Sequence, residues 1–310
     1  MSSVYLMSPP PRGWYIRGGS NYKSRGRPVV SPRQALQEWI GLADAIEAAG
    51  GRVAFLEPSE EPLLTGMMYT ANAGWLRTGG AEPLFRLARV SVEHRRAERE
   101  VLDGALRAAG FRTEQAEAVW EGQADMCHLP DRVLLSYGVR SVRESVDEVA
   151  AALPPGTSFH AARLRDPYFH GDTCMDPLPA PRGPLWAAYP GAFASAAEYE
   201  AARRFAAGGA DVAEISEEDA LAYACNSLPV GEELLVPAGL SARFKDLARG
   251  QGYRVRELAM GELFGKGGGG PRCLVNELRG LSELPPSLAY GRARQAMLAR
   301  LPGYPERAGG

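Results

Sequence analysis

The feature that most constrains this chain is a recurring local grammar: a short apolar strand, an amphipathic helix, a closing glycine and another strand. The unit returns roughly every 50–60 residues without literal repetition of sequence, which points to a repeated α/β architecture. Its first instance is the clearest. Val4-Tyr5-Leu6-Met7 reads as a strand stopped by Pro9-Pro10-Pro11. Ser31 then offers an N-cap and Pro32 a first helical residue, followed by Ala35, Leu36, Trp39, Ile40, Leu42, Ala43 and Ile46 at helical spacing. Gly50-Gly51 ends that helix, and residues 52–56 form the next strand. The same signals predict helices over 95–109, 142–153, 196–207, 217–223 and 241–249. They predict strands over 67–70, 132–137, 211–215, 233–236 and 253–256.

No linker-like stretch interrupts the series, so residues 1–302 read as one domain and 303–310, rich in Gly, Pro and Arg, as a frayed tail. The chain has 310 residues, 45% hydrophobic and 23% charged, ordinary values for a globular protein with a substantial core. A net charge of −2 gives no electrostatic reason to expect nucleic acid or an anionic membrane. No apolar run approaches the roughly 18 residues of a membrane span. The four cysteines, 127, 174, 225 and 273, are far apart and match no zinc spacing. With no leader apparent, they are expected to remain thiols in the cytoplasm.

Four stretches could carry chemistry. The most conspicuous runs from Gly265 to Leu278, where Gly267 to Gly270 precede Pro271, Arg272 and Cys273. Consecutive glycines let backbone approach a ligand or a neighbour closely. Cys273 reads either as a nucleophile presented by such a loop or as a buried thiol beside a mobile one. A phosphate loop is excluded because the lysine precedes the glycines. His170 and Asp172, in His170-Gly171-Asp172-Thr173, would share a face of an extended backbone. That suits a proton shuttle beside a carboxylate holding a cation, or a satisfied loop histidine. It would also suit two metal ligands, but no third or fourth ligand stands at supporting spacing, so no metal or cofactor is expected. Glu121 and Asp125 lie between Trp120 and Met126, where charges need partners. Asn72, in Tyr69-Thr70-Ala71-Asn72-Ala73-Gly74, reads as plain turn chemistry on its own.

Taken in order, residues 69–74 (YTANAG), 121–125 (EGQAD), 170–173 (HGDT) and 267–274 (GGGGPRCL) resemble the guanidino-group-modifying enzymes. That superfamily includes arginine deiminases, arginine dihydrolases, dimethylarginine hydrolases and amidinotransferases. Residues 137–141 and 222–228 also resemble family segments, and the resemblance runs from about residue 4 to residue 280. It implies an α/β fold, the five-bladed α/β propeller (pentein) with an axial active site. It also implies hydrolysis of the guanidino group of arginine or a derivative through a covalent S-alkylthiouronium on cysteine. Carried over, Cys273 matches the nucleophile, His170 the acid/base and Glu121 the carboxylate that pairs with the guanidinium and steadies the histidine. Asp172 matches the carboxylate gripping the guanidinium, and Asp125 a supporting carboxylate. Arg140 and Arg95 match arginines that clamp a substrate carboxylate, and Asn21 an asparagine of the dihydrolases. Asn72 favours the dihydrolase branch, because deiminases have Asp there. Asp172 argues against dimethylarginine hydrolases, which commonly lack it. Gly66 departs from the family's Leu-Pro-Asp, whose Asp binds the substrate's α-amine, which implies a substrate with that amine modified or missing. An amidinotransferase and a non-catalytic binding protein are the alternatives. The expected partner is a small guanidino compound, with homo-oligomerisation left open.

Overall fold

The computed structural model describes residues 3–19, 21–78, 83–281 and 283–307. The chain opens with β1 (Val4–Met7), α1 (Pro32–Ala48) and β2 (Arg52–Phe55). Four units of one design follow. The first is β3 (Gly74–Arg77), β4 (Leu84–Leu87), α2 (Glu98–Ala108) and β5 (Arg112–Gln115). The second is β6 (Met126–His128), β7 (Arg132–Tyr137), α3 (Arg143–Ala152) and β8 (Ser158–Arg163). The third is β9 (Met175–Ala180), β10 (Gly183–Ala188), α4 (Ala196–Ala207) and β11 (Asp211–Glu214). A single turn of helix, α5 (Glu217–Leu221), leads to β12 (Leu228–Val230), β13 (Glu233–Pro237), α6 (Ala242–Gly250) and β14 (Arg254–Leu258). In each unit the first two strands pair antiparallel, and the helix carries the chain to a third strand parallel to the second. Parallel neighbours need such a crossover, which is why a helix recurs once per unit.

The fifth sheet is made from both ends of the chain. β15 (Asn276–Glu277) pairs antiparallel with β1, which runs parallel to β2. These five three-stranded sheets are the repeated α/β architecture expected from the sequence, the pentein type. Asn276 makes the join specific. It is fully buried, and its Nδ2 donates to the carbonyls of Thr70 at 3.1 Å and Gly74 at 2.8 Å in the first unit.

α1 forms as its sequence dictates. Ser31 Oγ accepts from Gln34 N, and Ala35, Leu36, Trp39, Ala43 and Ile46 are buried on one face. Glu38 is buried on this helix because its carboxylate accepts from the amides of Glu262 and Leu263. In this way α1 pins the turn Gly261–Lys266 that enters the glycine loop. Helix α2 begins three residues later than expected, after a separate turn at Glu93–Arg95. The strand expected at 67–70 is absent. Met67 and Met68 are buried in turns, and residues 70–73 form a 3₁₀ turn whose Thr70 hydroxyl donates to Leu6 O at 2.9 Å. An apolar run buried by loop contacts looks like a strand in sequence.

Residues 301–306 make specific contacts with α1. Arg33 donates to the carbonyls of Pro302 and Tyr304 and pairs with Glu306, and Tyr304 is buried. Residues 308–310 of that expected tail, and Ser20 in the loop before α1, lie outside the described residues. An unexpected helix, α7 (Tyr290–Arg300), precedes the tail, tied to α1 through Asp44, which accepts from Tyr290 and Arg294. Among the described residues no helix is long and apolar enough to cross a membrane.

Asn276→Ala should lower unfolding stability by about 2–3 kcal/mol, because it strands two buried carbonyls at the join between the chain ends. Urea unfolding followed by tryptophan fluorescence checks this, and an unchanged midpoint contradicts it.

Candidate active site

Four of the five units begin with a short 3₁₀ turn before the first strand, at residues 70–73, 122–125, 171–173 and 224–226. The fifth has a tight turn over 271–274. These turns meet, and hydrogen bonds run round them in a closed ring. Asn72 Nδ2 donates to Glu121 O at 3.2 Å, and Gly171 N to Asp125 Oδ1 at 3.2 Å. Asn226 Nδ2 donates to Asp172 O at 3.1 Å, and its Oδ1 accepts from Cys273 N at 3.1 Å. Ala71 N closes the circle by donating to Cys273 O at 3.2 Å.

Cys273 is buried at the floor of a cavity that His170, Asn72, Arg95, Arg140 and Asn21 also line. Its Sγ accepts from Asn226 Nδ2 at 3.1 Å and stands 3.7 Å from Asp172 Oδ2. Burial and the Asp172 carboxylate push the Cys273 thiol up, against hydrogen bonds from Asn226 and Gly270 that favour the thiolate. Burial pushes Asp172 up to about 6. Its Oδ1 is buried without a hydrogen-bond partner among the described residues.

His170 Nε2 lies 2.6 Å from Glu121 Oε2. Burial opposes the imidazolium, but the Glu121 bond and the charges of Asp125, Glu121 and Asp172 outweigh it and raise His170. Burial likewise opposes the Glu121 carboxylate, and His170, Arg140 and Arg95 overcome it, holding Glu121 well below the usual range. Its other oxygen accepts from Ser91 N at 2.9 Å and from Ser91 Oγ. Asp125 differs. It faces Ser136, Ser141 and Gly171 rather than the cavity, and burial raises it.

The four glycines are explained by close approach rather than by mobility. A Cβ at Gly268, where φ is +77°, would stand 2.6 Å from Asn21 Oδ1, and one at Gly269 2.3 Å from the Tyr69 ring. A Cβ at Gly270 would stand 2.6 Å from Asn226 Oδ1, the atom that holds the Cys273 amide. Asn21 donates to Gly267 O at 3.1 Å and accepts from Lys23 N and Ser24 N, so it fastens its own loop to the glycine loop. His170 and Asp172 converge through a turn and not by strand alternation, since His170 is extended and Asp172 sits in the 3₁₀ turn after it.

Arg95 donates to Asn72 Oδ1 at 3.1 Å and Gly66 O at 2.9 Å, and pairs with Glu98 at 2.9 Å. Arg140 lies 3.5 Å from Glu121 and over the Phe169 ring. Sequence reasoning assigned no role to Asn226, Glu98, Ser91 or Ser141. Asn226 lay in a segment already noted as family-like, but nothing local marks it as the partner of a cysteine 47 residues away.

No family model matches the chain. An uncharacterized protein of Caenorhabditis elegans, ZK1307.1, is 30% identical over 253 residues, 81% of this chain and 85% of its own length. The N(G),N(G)-dimethylarginine dimethylaminohydrolase of Mycobacterium tuberculosis is 28% identical over 250 residues, 80% of this chain and 77% of its own. Among solved structures, the product-bound N-terminal domain of ArgZ, an arginine dihydrolase from cyanobacteria, matches with a TM-score of 0.78 at 25% identity. That match covers 90% of this chain and 98% of the domain. The chain belongs to the guanidino-group-modifying enzyme superfamily. A dimethylarginine dimethylaminohydrolase adduct shares the fold at a TM-score of 0.66 and 20% identity. The superfamily resemblance had pointed to Gly66 as the departure within this site, and the geometry there is decisive. A Cβ at Gly66 would stand 2.1 Å from Arg95 Nε and 2.7 Å from Glu98 Oε1. The place of a side chain at 66 is filled by the Arg95–Glu98 pair.

An aspartate at 66 therefore has no room beside the Arg95–Glu98 pair. Gly66→Asp should displace Arg95 and lower kcat/KM on every guanidino substrate, by about tenfold or more for a displaced binding-site cation. Gly66→Asp matching the unaltered enzyme on any of them would contradict this.

Proposed function

We propose that this protein is a hydrolase of the guanidino group of arginine or an arginine derivative, acting through a covalent intermediate on Cys273. The observation that carries the reading is the convergence of Cys273 Sγ, the unpartnered Asp172 oxygen and the His170–Glu121 pair at one buried floor. A solved ArgZ N-terminal domain covalently bound to a reaction intermediate supports it by analogy of fold.

A guanidinium carbon is deactivated by resonance, so it needs a strong nucleophile. Burial and the Asp172 carboxylate favour the protonated thiol. A guanidinium seated against Asp172 reverses that field, so the thiol releases its proton to solvent and the thiolate is favoured. The thiolate then attacks the guanidinium carbon, and the carboxylates favour the tetrahedral adduct by keeping its nitrogens protonated. His170, kept as imidazolium by Glu121, donates its proton to the departing ammonia or amine, leaving the S-alkylthiouronium. Neutral His170 next takes a proton from water, which attacks the same carbon. Collapse returns the thiolate and releases a urea product.

Cys273→Ser and His170→Ala should each lower kcat by roughly a thousandfold or more, since members of a nucleophile–acid unit fail together. Ammonia release from a guanidino panel measures this, with circular dichroism to confirm folding. Retention of a tenth of the activity by Cys273→Ser would sink the reading. In pH profiles, Asp172 must be ionised to hold a cation. kcat/KM should therefore fall as pH drops through about 6, where Asp172 takes up its proton. Asp172→Glu should keep such an acid limb at reduced rate, and Asp172→Asn should lose it along with most activity. An acid limb unchanged in Asp172→Asn would assign it elsewhere.

A further inference from the structure

The cavity changes character between floor and mouth. Just behind the floor residues Cys273 and His170 lie two carboxylates, Asp172 at 3.7 Å from Cys273 Sγ and Glu121 at 2.6 Å from His170 Nε2. Around the cavity wall stand Arg17, His94, Arg95 and Arg140, and no Asp or Glu is among the described residues that line it. Two of the arginines are balanced, Arg95 by Glu98 and Arg140 in part by Glu121. Arg17 is different. It donates to Leu63 O at 3.1 Å, and no carboxylate among the described residues pairs with it. Arg17 belongs to a stretch, residues 12–33, with basic residues at 12, 17, 23, 25, 27 and 33 and no acidic one.

We propose that the mouth selects guanidino acids whose far end is anionic and carries no free ammonium, such as ω-guanidinoalkanoates and N-acylated arginines. The inference rests on the guanidine-hydrolase reading and refines its substrate. A guanidinium at the Asp172 floor sets the molecule's direction, so its other end must meet the arginines. A carboxylate there finds Arg17 with no competing acid, and the field of the basic stretch draws anions inward. An ammonium at that end meets like charge and no lining carboxylate. Glu98, the acid behind the wall, is occupied: its Oε1 accepts from Gly66 N at 2.9 Å and its Oε2 from Arg95 Nε at 3.0 Å. Rejection comes from that repulsion as much as from the missing acceptor.

The test is calorimetric titration of Cys273→Ala protein, which binds without turnover, with 4-guanidinobutyrate, N-acetylarginine, arginine and agmatine at low and high salt. Both acids should bind about tenfold tighter than arginine and about a hundredfold tighter than agmatine, with the preference shrinking in salt. Arg17→Gln in that background should weaken the acids about tenfold and strengthen agmatine severalfold, and Arg17→Lys should reverse part of both changes. Agmatine or arginine binding as tightly as the acids, or Arg17→Gln without effect on them, overturns the inference. Ammonia release from the same four compounds by the unaltered enzyme keeps the two questions apart. The predicted affinity order without ammonia from any compound supports the cationic mouth and counts against hydrolysis. Ammonia with the order reversed supports hydrolysis and overturns the mouth.

Discussion

The closed ring of hydrogen bonds among the five inner turns is the constraint on which the rest depends. Each short turn has backbone groups that its own few residues cannot satisfy, and a buried unsatisfied group costs about 1–3 kcal/mol. Here the neighbours satisfy them, through Asn72, Asp125, Asn226, Cys273 and Ala71. Two residues of the ring, Asn72 and Cys273, also line the cavity. Asn226 shows the economy: one side chain holds the Cys273 amide, the Asp172 carbonyl and the Cys273 sulfur. A strand pair between the two ends of the chain, β15 on β1, then locks the last turn beside the first.

Electrostatics divides the acids of this floor into two kinds. Glu121 is paired with His170 and lies near Arg140, so it stays ionised despite complete burial. Asp172 lacks such a partner at Oδ1, and burial leaves it pushed up to about 6. A buried carboxylate with an open acceptor is costly until a cation arrives. In the proposed reaction, a guanidinium bound there would relieve that cost and at the same moment make the neighbouring thiolate more favourable. The same contact therefore serves recognition and activation.

Much of this was legible in the sequence. The α1 cap at Ser31, the helix over 196–207 and the glycine-terminated rhythm follow from local rules, and the structure has them. The ordered motifs at Asn72, Glu121, His170 and Cys273 stand out through the resemblance, and topology shows each at or beside an inner turn. What stayed hidden is non-local. The run at 67–70 is apolar because loops bury it, and no periodicity distinguishes that from a strand. The tail is held by Arg33, some 270 residues earlier, through pairings that local composition does not encode. The glycine loop looked mobile, yet Tyr69, Asn21 and Asn226 press on it from three directions. Gly66 was visible as a departure, but only the Arg95–Glu98 pair shows what fills its place.

The central claim is that Cys273 carries the reacting carbon. Acid quenching of the enzyme during turnover of a guanidino acid, followed by peptide mass spectrometry, tests it most directly. The account predicts an S-alkylthiouronium adduct on the peptide containing Cys273, formed within the first turnover, decaying as substrate is exhausted and absent from Cys273→Ser. Turnover with no adduct there, or with the adduct on Cys127, Cys174 or Cys225, would contradict it.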